Sequence, residues 1–129
     1  MHKVTLIKGD GIGPSIMDEA VKVIDATGVN IQWEEAYAGV AAFDKFGTPL
    51  PDATLESFDK TRVAFKGPLT TVVGTGFRSI NVALRQKYEL YANVRPANNW
   101  EGVKTRYDDV DIVIVRENTE GLYSGLEHY

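Results

Sequence analysis

The chain has 129 residues, 43% hydrophobic and 25% charged, the balance of a globular domain able to bury a core. A formal charge of −4 and an isoelectric point near 5.1 argue against general affinity for nucleic acid or for an anionic membrane surface. With no cysteine there is no disulfide or thiolate metal site, and no apolar run reaches membrane-spanning length, so a soluble, cytoplasmic protein is expected.

Residues 4–7 are a short apolar run between Lys3 and Lys8, read as a buried strand. The GDGIGPS that follows places glycines at 9, 11 and 13. A dinucleotide fingerprint needs its third glycine one position further on, where Pro14 stands, so a Rossmann site is rejected. A strand-to-helix turn is expected instead, with Pro14 in the first turn of the helix. Met17, Ala20, Val21 and Ile24 then recur at helical spacing, and Gly28 is a natural stop. Residues 29–37 read as a strand in which Ile31 and Trp33 alternate with Gln32 and Glu34. Glu34 and Glu35 are adjacent, so they point to opposite faces and read as surface charge rather than a catalytic pair.

Residues 40–46 read as a short helix and 47–51 as a loop, after which Asp52 or Thr54 caps a helix reaching Phe58. A strand over 62–65 delivers the chain to Gly67-Pro68. Strands alternating with helices predict an α/β layered sheet, substantially parallel, with flanking helices. Ligands bind such sheets at the carboxyl ends of the strands, where both GDGIGP and GPLTT fall.

The stretch 66–96, KGPLTTVVGTGFRSINVALRQKYELYANVRP, collects Thr70, Thr71, Ser79, Asn81, Arg85 and Arg95. A helix beginning near Ser79 puts that hydroxyl at the N-cap, where free N–H groups and the helix dipole favour an anion. Asn81 and Arg85, four apart, share a face of that helix, and an arginine fork matches a carboxylate. Taken singly, Ser79 is only a cap and the arginines face solvent; the combination suits a small polyanion. An apolar strand ends at Arg95-Pro96, and the polar passage 98–102 is read as the crossing into a second lobe. Asp108, Asp109 and Asp111 read as the entry to a strand over 112–115, so no metal ligand is assigned. That strand ends at Arg116, and RENTEGLYSGLEHY closes the sequence; His2 and His128 receive no catalytic role.

GPLTT, RSINVALRQ, YANVRP and RENTEGLYSG together resemble the isocitrate/isopropylmalate dehydrogenase family of decarboxylating dehydrogenases. The pattern at Ser79, Asn81 and Arg85 resembles the isocitrate branch. The resemblance runs from Val4 to the last residue, over roughly the first third of what the family needs. It implies the N-terminal part of the large α/β domain over 1–96 and the start of a small domain over 97–129. It also implies oxidative decarboxylation, with a hydride passed to NAD or NADP and magnesium or manganese as Lewis acid.

By the same resemblance, Arg85, Arg95 and Arg116 grip the carboxylates of an isocitrate-like tricarboxylate, with Ser79 and Asn81 completing the contacts. Tyr123 matches the acid that protonates the enolate carbon, although an aromatic packed near a turn is the plain reading of its local sequence. Ile12, Thr71 and Asn81 would touch the nucleotide. The family's metal-binding aspartates, its lysine from a neighbouring subunit and most adenosine contacts belong to later segments. This chain is therefore expected not to complete the turnover alone, and its exposed sheet edge to need a homo-oligomer or another protein. Two alternatives are a non-catalytic relative that binds a protein partner and a tricarboxylate-binding module. Phosphate on Ser79 is expected to repel a substrate carboxylate.

Overall fold

The first strand, β1 (His2–Ile7), is the middle of a three-stranded parallel sheet, flanked by β2 (Ile31–Ala36) and β3 (Ala64–Lys66) in the order β2-β1-β3. The structure is a computed structural model that describes residues 1–70, 79–121 and 124. Its contacts divide the chain into two compact units, Met1–Ile80 and Asn81–Tyr129.

In the first unit β1 is covered on both faces, which is why Val4 through Ile7 are consecutively buried rather than alternating. Val4 is paired with Trp33 on one side, and Leu6 with Phe65 on the other. The rings of Trp33 and Phe65 lie 6.0 Å apart. Thr5 is fully buried, and its hydroxyl is satisfied by those of Ser57 at 2.8 Å and Thr61 at 2.7 Å. Both belong to α3 (Asp52–Thr61), so a hydroxyl triad fastens that helix to the central strand.

Helix α1 (Gly13–Ala26) starts with Pro14 in its first turn and buries Met17, with Ala20, Val21 and Ile24 half-buried. Its spacing was legible; its stop falls at Thr27 and Gly28, the latter with φ of 79°. Helix α2 (Val40–Phe46) lies between Gly39 and Gly47. Helix α3 departs from expectation at its start. Pro51 occupies the cap position without a side-chain hydrogen bond, while Thr54 is buried and donates to the Tyr37 carbonyl at 2.6 Å. Asp52 sits in the first turn, where a carboxylate complements the helix dipole. Glu34 and Glu35 do not act together: Glu34 pairs with Lys60 at 3.0 Å, which holds its carboxyl below the usual range.

The second unit holds most of α4 (Ile80–Lys87) and an antiparallel ribbon of β4 (Ala92–Asn98) and β5 (Asp111–Glu117). Helix α4 buries Ile80 and Leu84, one turn apart, and ends where Glu89 turns left-handed at φ of 50°. Strand β4 continues through Pro96 to Asn98 and is not terminated by the proline. A two-stranded ribbon has only edge strands, and an edge tolerates a residue without an N–H. Residues 99–110 connect the strands, held by Asn99, whose amide donates to Thr105 Oγ1 at 2.7 Å and to the Tyr107 carbonyl at 2.9 Å.

Candidate functional site

Each unit holds its own group of candidate residues, and the two groups are built from different chemistry. In the first unit the loops after β1 and β3 lie against each other. The Asp10 N–H donates to the Pro68 carbonyl at 2.8 Å, and the Gly67 N–H to that of Ile7 at 2.8 Å. Gly9 has φ of 81°, and a Cβ there would stand 2.1 Å from the Pro68 oxygen. The glycine at position 9 is thus a packing requirement between loops rather than part of a nucleotide fingerprint. Ile12 projects from this edge with 72% of its surface exposed, and Thr70 is exposed on the neighbouring loop.

Asp10 is the residue that local sequence reasoning passed over. It is 9% exposed, and its carboxylate accepts from the N–H groups of Val40, Ala41 and Thr70. Those partners lie 30, 31 and 60 positions away, so no spacing rule finds them. Close by, Lys8 pairs with Asp18 at 2.9 Å, and that hydrogen bond, aided by the charges of Asp18 and Glu35, raises its pKa. A groove of about 590 Å³ edged by Lys8, Asp18, Trp33 and Glu35 runs between α1 and the sheet. None of the sequence-predicted site residues lines it.

In the second unit the ladder decides which side chains share a face. Asn93 is opposite Arg116, and Arg95 is opposite Ile114. Because side chains alternate along a strand, Asn93, Arg95 and Arg116 all lie on the same face of the ribbon. Arg95 Nε donates to Asn93 Oδ1 at 3.2 Å. The opposite face carries Val94 paired with Val115 and Pro96 paired with Val113, and these valines are 59–66% exposed.

Ser79 immediately precedes α4, and Asn81 and Arg85, both half-buried, are one turn apart on it. Thr71 and Tyr123 lie outside the described residues.

At the end of β5, Glu117 folds back on the turn that follows, accepting from the backbone N–H and hydroxyl of Thr119 and from the Glu120 N–H. These bonds, that from the Thr119 N–H foremost, lower its pKa to about 2. Asn118 is buried, donates to the Leu90 carbonyl at 3.3 Å, and leaves its Oδ1 without a partner. Among the described residues no group of three or more His, Asp or Glu side chains gathers, so this donor set does not fit a divalent cation. None of their helices is long and apolar enough to cross a membrane.

The sequence pattern of the isocitrate/isopropylmalate dehydrogenases matches residues 3–129. The chain belongs to that family. A crystal structure of isocitrate dehydrogenase from Methylococcus capsulatus is 67% identical with a TM-score of 0.91, covering 100% of this chain and 38% of that one. Mitochondrial NAD isocitrate dehydrogenase catalytic subunit 5 of Arabidopsis thaliana is 51% identical over 124 residues, and a probable mitochondrial NAD isocitrate dehydrogenase subunit alpha of Drosophila melanogaster 53% over 128. The match covers 96% and 98% of this chain, respectively, and 33% of each relative, so the chain spans about a third of their length.

The layered α/β architecture and the isocitrate dehydrogenase-like character read from the sequence both stand. The cytoplasmic expectation does not. The plant and insect relatives are named mitochondrial, and nothing in these comparisons points to the cytoplasm. A lack of cysteine and an acidic balance suit any reducing compartment, so composition had no power to choose one.

Proposed function

We propose that this chain supplies the tricarboxylate-facing and nicotinamide-facing residues of an NAD-dependent isocitrate dehydrogenase. The observation that carries the reading is the ribbon register, with Arg95 and Arg116 on one face and Asn93 between them. Two guanidinium groups on one face suit a substrate with several carboxylates. Arg85 and Asn81 on α4, with Ser79 at its start, add the remaining contacts. Ile12 and Thr71, with Asn81, hold the nicotinamide end, and the names of the plant and insect relatives favour NAD over NADP.

NAD, held by Ile12, Thr71 and Asn81, would supply the hydride acceptor for the hydroxyl-bearing carbon of isocitrate. The arginines would hold the substrate carboxylates and fix the orientation of the substrate. After loss of carbon dioxide the electron pair left on the substrate is an enolate, and Tyr123 gives its proton to the carbon. A divalent cation finds no donor set among the described residues, so no step is assigned to one here. The 1–96 and 97–129 division is the corresponding proposal for the large and small domains of the family. The exposed valine face of the ribbon is where further sheet, or a neighbouring subunit, would pack.

The test is calorimetric titration of the folded chain with isocitrate. Saturable binding is expected, weakened about tenfold or more in Arg95→Gln and in Arg116→Gln, the scale of a lost charge-assisted hydrogen bond. A folded chain that takes up no isocitrate refutes the reading and favours a protein-binding relative.

A further inference from the structure

We propose that Asp10 is the positioning residue of the nicotinamide edge, a role that rests on reading Ile12 and Thr71 as cofactor contacts. Three loops leave the carboxyl ends of β1, β2 and β3, and one buried carboxylate joins them. Its Oδ1 accepts from the Ala41 N–H at 3.0 Å; its Oδ2 accepts from Val40 at 3.1 Å and Thr70 at 2.9 Å. The backbone of the same residue is held as well, accepting from the Gly13 N–H and donating to Pro68, both at 2.8 Å. Gly39 completes the fit, because a Cβ there would stand 2.1 Å from Oδ2.

Three N–H donors converging on one point require a group that only accepts. A carboxylate offers two oxygens with lone pairs to spare, whereas an amide would turn N–H groups of its own toward some of those donors. The carboxylate is too enclosed to be a substrate ligand, and the chemistry above gives it no proton to move. Its effect is on its neighbours. Ile12 lies two residues beyond Asp10, and Thr71 follows the Thr70 that Asp10 holds. Fixing Asp10 therefore fixes the spacing between the loop of Ile12 and the loop of Thr70, before the nucleotide arrives.

The experiment titrates the chain and its Asp10→Ala variant with NAD and, separately, with isocitrate. Each titration is repeated in sodium formate and in sodium chloride of equal ionic strength. The variant leaves a carboxylate-sized hole lined by three donors. NAD affinity is expected to fall about tenfold, the scale of leaving buried donors unsatisfied, while isocitrate affinity stays unchanged. Formate, which refills the hole, restores NAD binding, and chloride does not.

Equal NAD affinity in the chain and the variant overturns the proposal and leaves the cofactor edge standing. Absence of NAD binding in the unaltered chain overturns both. Should the alanine variant not fold, Asp10→Asn keeps the volume and one acceptor oxygen. It is expected to speed amide exchange at Val40, Ala41 and Thr70 and to weaken NAD in the same direction. Unaltered exchange at those three amides overturns the proposal.

Discussion

Replacing Gly9 and Gly11 separately by alanine isolates the reason for the alternating glycines. Both are left-handed, with φ of 81° and 59°, so each substitution carries a backbone penalty of about 1–2 kcal/mol. Around Gly11 nothing lies within 4 Å of an added Cβ, and the penalty stops there. At Gly9 the new Cβ would be 2.1 Å from the Pro68 oxygen and 3.1 Å from the Gly67 carbonyl carbon, both backbone atoms. No side chain can swing away, so the loops must part and strain the Asp10-to-Pro68 hydrogen bond. Overpacking of this kind costs about 1–3 kcal/mol and the bond about 1 kcal/mol more.

Gly9→Ala is therefore expected to lose about 3–6 kcal/mol and Gly11→Ala about 1–2 kcal/mol. Urea denaturation followed by Trp33 fluorescence, in a Trp100→Phe background, reads the first unit alone. Equal losses at the two positions refute the packing argument.

Thr5→Val keeps the shape of the central strand but removes its hydroxyl and with it the hydrogen bonds to Ser57 and Thr61; a loss of about 1–3 kcal/mol in the same assay is expected. Glu117 has a folded-state pKa of about 2 against an ordinary 4.5, so its turn contributes stability above about 4.5 that is lost as pH falls through 2. Amide shifts of Thr119 and Glu120 should report that titration, and Glu117→Gln should abolish it. Ser79→Asp places a negative charge where the reading puts a substrate carboxylate; calorimetry should find isocitrate binding lost while circular dichroism is unchanged.

The elements of the first unit were legible because each carries its own signal. The Met17–Ala20–Val21–Ile24 spacing, Pro14 in the first turn and Gly28 at the stop are local facts about one helix, and they held. What failed was read from residue preference alone. Thr54 looked like a cap because threonine often is one, yet a buried position and the Tyr37 carbonyl claimed its hydroxyl. Pro96 looked like a strand end because proline cannot donate, yet an edge strand has an outward side where no donor is needed. In the site, Arg95 and Arg116 were individually visible, but their common face depends on a register that pairs Asn93 with Arg116. Asp10 was hidden for a related reason: its importance lies entirely in partners 30 to 60 residues distant.

The ribbon that carries Arg95 and Arg116 also exposes Val94, Val113 and Val115 on its other face. A two-stranded ribbon is marginally stable in water, and three exposed valines give it apolar surface to bury. On the proposed reading, substrate affinity and the covering of that face are consequently linked. Isocitrate binding must hold the two arginines at a fixed separation, and the ordering cost is highest when the ribbon is uncovered. A segment or subunit packed on the valines would meet that cost beforehand and tighten isocitrate. By thermodynamic reciprocity, isocitrate would tighten the binding of that cover by the same factor. The arginine face and the valine face of the ribbon would thus be coupled through its stiffness, with no side chain common to both.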